Sequence, residues 1–151
     1  MAVTVRRATL ADAAVVAEFN RRLAHETENK TLDAAVLAKG VAAVLSDPAK
    51  GLYFLAERDQ GVAGMMLITF EWSDWRNGWL WWIQSVYVRA EARRQGVLRA
   101  LYDHVYQLAC REPEVIGLRL YVENNNRVAQ QTYLRLGMEP AGYTVFEKYP
   151  L

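Results

Sequence analysis

The six residues Arg93-Arg94-Gln95-Gly96-Val97-Leu98 precede a run in which Leu98, Leu101, Val105 and Leu108 recur at spacings of three, four and three. That spacing predicts an amphipathic helix over Gly96 to Arg111. A helix N-terminus presents unpaired N–H groups and the positive end of the dipole. A glycine there lets the backbone approach an anion, and flanking arginines add charge-assisted donors. The segment reads as a pyrophosphate cradle, with a basic turn into a surface helix as the plainer alternative. With one glycine and no Gly-Lys-Ser/Thr, it is neither a P-loop nor a dinucleotide fingerprint.

Four acids stand in polar stretches. Glu71 precedes and Asp74 lies within the Trp-rich segment from Trp72 to Gly78, and Glu26 and Glu28 lie in His25 to Lys30, read as a loop. They are either solvated loop charges or groups that attract a cation. His25 has a suitable pKa range for a base. His104, mid-helix beside Asp103, is expected to face solvent. Cys110 is the sole cysteine, so no intrachain disulfide and no Cys-rich metal site can form. No metal is expected, and a reducing, cytoplasmic setting is the simpler expectation.

The elements that must position these groups fit one domain over 1–151, since 151 residues suit a single core. Val3 to Ala8 reads as a strand. Thr9 caps a helix from Leu10 to about Ala24, with Val15, Phe19 and Leu23 as its stripe. Thr31 caps a second helix to about Leu45, ended by Ser46-Asp47-Pro48. Leu52 to Glu57 and Val62 to Glu71 form a hairpin about the turn Arg58-Asp59-Gln60-Gly61. Trp79 to Val88 is a long strand, apolar on both faces, expected at the centre of a covered sheet. Val115 to Val122 is a strand and Asn126 to Leu136 a helix, stopped by a left-handed Gly137. Tyr143 to Tyr149 is a final strand. The order is β-α-α-β-β-β-α-β-α-β, an α+β, layered arrangement around a mixed sheet.

Formal net charge is +1, from 18 basic and 17 acidic residues. No basic excess is available for a phosphate backbone, which argues against nucleic acid as a partner. No stretch approaches the roughly 20 apolar residues of a membrane span, and Met1 to Arg7 lacks the apolar run of a leader. All five tryptophans fall between Trp72 and Trp82. Trp79 and Trp81 point to one face of their strand and Trp82 to the other. Trp72 and Trp75, read as loop residues, either wall an acceptor pocket through cation–π attraction or bury a subunit contact.

Ser85 to Leu101 resembles the acyl-CoA-binding motif of the GNAT superfamily of N-acetyltransferases, Gln/Arg-x-x-Gly-x-Gly/Ala. Arg93 and Gly96 match, and Leu98 stands where the second small residue falls. Asn126 to Met138 resembles that family's Asn-x-x-Ala-x-x-x-Tyr-x-x-x-Gly-Phe signature, with Met138 in place of the aromatic. Phe70 to Trp75, followed by the strand into Val88, is similar to the diamine (polyamine and thialysine) acetyltransferase group. That group tends to carry acids where this chain has Gln84 and Ser85, neither of which is a carboxylate base.

The resemblance implies acetyl transfer from acetyl-CoA to a primary amine, on a small molecule or a peptide, in a ternary complex. An alkyl ammonium with a pKa near ~10.4 must first lose a proton. Backbone groups around Val86, Tyr87 and Val88 would then bind the pantetheine arm, and residues 93 to 98 the pyrophosphate. Asn126 would contact the pantetheine, and Tyr133 would protonate the leaving thiolate. Glu71 is the candidate base, while Glu26, Glu28, Trp72, Asp74, Trp75 and Gln84 would border the acceptor. The family also implies a homodimer. The alternative from another class is a non-catalytic acyl-CoA-binding module.

Overall fold

The protein was described from a computed structural model covering residues 2–59 and 61–151. Met1 and Gln60, the latter assigned to the hairpin turn, lie outside the described residues. The chain forms two compact units, one up to Leu120 and one from Tyr121.

The first unit holds a five-stranded sheet in the order β1-β2-β3-β4-β5: β1 (Thr4–Arg7), β2 (Leu52–Arg58), β3 (Gly61–Ser73), β4 (Gly78–Val88) and β5 (Val115–Arg119). The first three pairings are antiparallel and β4–β5 is parallel, so the sheet is mixed. Helices α1 (Ala13–Glu28) and α2 (Ala34–Ser46) cover one face. Val16, Phe19 and Val41 pack there with Tyr53, Leu55, Met65 and Tyr87. Phe54 points the opposite way by strand alternation and meets His104 of α3 (Val97–Arg111), with ring centroids 5.4 Å apart. Burying each such large side chain is worth about 1.5–3 kcal/mol, which holds α3 to the sheet and fixes where its N-terminus lies.

Several expectations change. His25 to Glu28 are helical, because polar residues continue a helix until something stops it. Here Asn29 adopts a left-handed φ of 51°, and its N–H bonds back to Ala24 and His25. Glu26 and Glu28 therefore sit on the last turn of α1. Asp33, not Thr31, caps α2, its carboxylate accepting from Ala35 N at 2.9 Å and Val36 N at 3.0 Å. The loop from Trp72 to Gly78 contracts to a turn at 74–77, with Asn77 at φ 51°. Trp72 is thus a strand residue, paired with Trp79. His104 does not face solvent, and burial pushes its imidazole below the ordinary range.

The second unit carries α4 (Arg127–Arg135), where Asn126 Oδ1 caps the helix by accepting from Ala129 N at 3.1 Å. At its end, Met138 N bonds Tyr133 O and Gly137 N bonds Leu134 O, each at 3.0 Å, with Gly137 at φ 90°. That is the expected left-handed glycine stop. Tyr143 to Tyr149 does not form the expected strand, and residues 139–151 are all exposed. Alternation gives a segment a strand-like pattern, but a strand exists only once another backbone supplies its ladder.

Candidate active site

The centre of the first unit is a break in the β3–β4 ladder. Met66 pairs with Val86 and Ile68 with Ile83, so the single residue Leu67 faces both Gln84 and Ser85. This is a bulge, which bends the strand and re-aims the residues beyond it. Both bulged side chains are held on the α1–α2 face. Gln84 Nε2 donates to Thr69 Oγ1 at 3.1 Å. Ser85 hydrogen-bonds the buried Tyr53 hydroxyl, which also accepts from Asn20 Nδ2 at 3.2 Å. Burial pushes the Tyr53 phenol up despite both bonds.

Beyond the bulge, β4 loses its other neighbour. The β5 register covers Trp79 to Trp82 only. Arg89 N donates to Ala63 O at 2.8 Å, so alternation directs the backbone groups of Tyr87 toward β3 and those of Val86 and Val88 away from it. Val88 O accepts from Arg93 Nε at 2.9 Å on that open side. Of the three residues expected to offer backbone groups, Val86 and Val88 direct theirs away from β3, with Val88 O taken by Arg93, and Tyr87 is engaged in the ladder.

The chain then turns through Arg94 at φ 62° and Gly96 at φ 84° into α3. A Cβ at Gly96 would meet nothing within 4 Å, so the backbone there stands open as well as left-handed. Ala100 N bonds Gly96 O at 2.9 Å, the first helical bond. The N–H groups of Val97 and Leu98 precede it and carry the positive dipole end. Gln95 is tied at both ends of its amide, donating to Glu91 O at 3.0 Å and accepting from Arg58 Nη1. The open glycine, the free helical N–H groups and the unpaired edge of β4 fit an elongated anionic ligand such as acetyl-CoA.

Arg93 points elsewhere than its expected role. Its Nη2 donates to Glu26 Oε2 at 2.6 Å, and its guanidinium lies 5.5 Å from the centroid of the Tyr87 ring. The Tyr87 hydroxyl reaches Glu26 Oε1 at 3.4 Å. Sequence spacing gave no signal for this contact, since Glu26 and Arg93 are 67 residues apart.

The expected acceptor residues divide between places. Glu71 shares the α1–α2 face with Thr69, Trp82 and Gln84. Its Oε1 accepts from Trp82 Nε1 at 2.8 Å and from Arg119 Nη1 at 3.2 Å. Trp72 faces the opposite way, packed edge-on against Trp79 with centroids 5.1 Å apart, beside Phe70 and Trp81. Asp74 and Trp75 lie at the hairpin tip, where Asp74 Oδ1 accepts from Trp75 N and Trp75 is 93% exposed. Glu28 pairs with Lys30 at 3.0 Å. In the second unit, burial raises the Tyr133 phenol above its ordinary value. Among the described residues no His/Cys/Asp/Glu group could hold a metal, and Cys110 is exposed.

Comparison with known proteins gives this geometry a family. A model of the acetyltransferase (GNAT) family matches residues 13–138. A possible acetyltransferase from Clostridium difficile 630 has a crystal structure 40% identical over 100% of this chain and 99% of its own, with a TM-score of 0.92. A ribosomal-protein-alanine N-acetyltransferase from Brucella melitensis biovar Abortus 2308 shares the fold at 17% identity and a TM-score of 0.80, over 99% and 100% of the two chains. So does an aminoglycoside acetyltransferase from an uncultured soil metagenomic sample, solved with sisomicin, at 16% identity and 0.76, over 99% and 96%. None of the curated proteins matches the chain. With the family match running from α1 to the end of α4, the chain belongs to the GNAT family and is an N-acetyltransferase.

Proposed function

We propose that the protein moves an acetyl group from acetyl-CoA to a primary amine, on a small molecule or a peptide, by direct attack. The observation that carries this reading is the open, left-handed Gly96 at the start of α3 beside the unpaired edge of β4. The backbone N–H groups of Val97 and Leu98, with Arg94, hold the pyrophosphate, and Val86 and Val88 bond the pantetheine arm. Acetyl-CoA supplies an activated acetyl thioester. One amine proton passes to a carboxylate, for which Glu71 is the candidate, directly or through water. The N–C bond forms as the C–S bond breaks, Tyr133 gives its proton to the sulfur, and the second proton, shed by the nitrogen as it becomes an amide, restores the phenol. Burial supports that role by keeping the phenol protonated at neutral pH.

The same fold serves relatives named for a ribosomal protein and for an aminoglycoside, so the fold does not choose the acceptor. The 151 residues act as one catalytic domain, supported by a family match that includes both motifs. Trp72 and Trp79, on the face away from Glu71, and the exposed Trp75 favour a homodimer contact over an acceptor wall. The exposed, unpaired Cys110 is compatible with a cytoplasmic setting.

The test is a thermal-shift titration with acetyl-CoA followed by an amine panel. Stabilisation with turnover on at least one amine class is expected. Stabilisation without turnover turns the reading to a binding module, and no stabilisation overturns it. Replacing Tyr133 with Phe should lower turnover at least ~10-fold while cofactor affinity stays within about twofold. The high-pH limb of kcat, set by loss of the phenol proton above its ordinary value of about 10, should disappear in that variant. Unchanged turnover removes Tyr133 from the mechanism.

A further inference from the structure

β5 is the last strand of the sheet, and among the described residues β4 is the only strand beside it. Along Val115 to Leu118 its outer edge carries no second ladder. Proteins blunt such edges with Lys, Pro or inward-pointing charges. Val115-Ile116-Gly117-Leu118 holds none of these, and Ile116 is exposed. The same chain holds a strand-like segment without a sheet. Thr144 to Tyr149 reads Thr-Val-Phe-Glu-Lys-Tyr, rich in the β-branched and aromatic types that suit a pleated surface. It joins no ladder of its own chain, and Val145, Phe146 and Tyr149 are 64%, 92% and 84% exposed. So much apolar surface in one short segment marks a contact surface.

Charge fits one direction of pairing. Glu112 and Glu114 stand just before β5, Lys148 stands near the end of the segment, and all three are exposed. Antiparallel pairing brings Lys148 to the Val115 end, beside the two carboxylates. Parallel pairing sends it to Arg119, like charge against like. We propose that residues 144–149 add antiparallel to the outer edge of β5 in a second copy of this chain, which returns its own segment to the first. Exchange about a two-fold axis gives each open edge a sixth strand and covers each exposed segment. A different protein would satisfy the edge or the segment, whereas a second copy satisfies both at once. This rests on the homodimer reading above and gives that dimer its main-chain contact.

The experiment is light scattering on the full chain over a range of concentrations, in the wild-type protein and in Val145→Pro and Phe146→Pro. The wild-type protein should be a dimer. Neighbouring N–H groups of a strand face opposite edges, so one of the two variants removes a ladder donor. Its dimer dissociation constant should rise at least ~10-fold. Both substitutions fall on exposed residues outside any ladder of the chain itself, so the fold of the single chain does not depend on them. Cross-linking identifies the partner. A chain with Ile116→Cys and a chain with Phe146→Cys, both in a Cys110→Ser background, are co-expressed and treated with a short bis-maleimide. A covalent pair of unlike chains is expected. Failure to form that pair overturns the exchange, as does a link that forms only within one chain carrying both cysteines. A dimer whose affinity is unaltered in both proline variants overturns the exchange and leaves the homodimer reading standing. A monomer at every concentration overturns both.

Discussion

The two halves of β4 are made of similar residues and do different work. From Trp79 to Trp82 the strand is laddered on both sides, by β3 and by β5. From Val86 to Val88 it is laddered on one side only. Between them stand Gln84 and Ser85, opposite the single residue Leu67. The first half stores stability in packed aromatic rings, with Trp81 only 8% exposed. The second half directs the backbone groups of Val86 and Val88 away from β3, and the proposed function uses that open side. One extra residue separates a half laddered on both sides from a half with one open edge.

Truncating the closed half gives the largest expected effect. A Trp81→Ala change removes a buried ring and should destabilise the fold by about 3–5 kcal/mol, or roughly 10 °C in Tm. CoA affinity of the molecules that remain folded should be little changed. If Tm holds and affinity falls, the division of labour along β4 is wrong. Deleting Ser85 addresses the second half. With Leu67 facing one residue, β4 runs straighter and its open edge narrows. CoA affinity should fall at least ~10-fold, a loss of about 1.4 kcal/mol. Retained affinity would detach the bulge from binding.

The smallest effect is expected outside both halves, and it sharpens the contrast by touching stability alone. Arg6 donates to both oxygens of Asp12, at 2.9 and 2.8 Å, and to Glu57 at 2.7 Å. The Arg6 hydrogen bonds hold the Asp12 carboxyl at about 2. A depressed folded pKa contributes stability above the unfolded value near 3.9 and loses it as pH falls toward about 2. The Asp12→Asn variant should lose about 1 kcal/mol at neutral pH, a discounted figure because the Arg6 side chain is 40% exposed. Urea melts should show the gap from wild type closing through that acid window, with turnover unchanged in the folded protein.

The sequence made the turn into α3 and the order of the elements up to α4 legible because both are local. Gly96 after two arginines, and Leu98, Leu101 and Val105 at helical spacing, carry their meaning within a few residues. Asn126 and Gly137 bracket α4 by capping chemistry that depends only on neighbours. Misreadings arose where polarity stood in for geometry. His25 to Glu28 resembled a loop and is helix, and Trp72 resembled a loop residue and is paired strand. Tyr143 to Tyr149 shows the converse, with strand-like alternation and no ladder.

By itself, then, the sequence determined the resemblance to the family and the glycine-opened, arginine-flanked turn at the head of α3, since short-range spacing encodes them, and the role proposed for Tyr133 follows from that resemblance. Tertiary structure alone decided that Leu67 faces two residues, that Trp72 and Glu71 lie on opposite faces, and that Glu26 reaches Arg93. These are facts of register and of approach between distant segments. A one-residue shift in pairing, invisible in composition or periodicity, re-aims every group beyond it. An ion pair across 67 residues exists only because two helices and a strand bring its ends together.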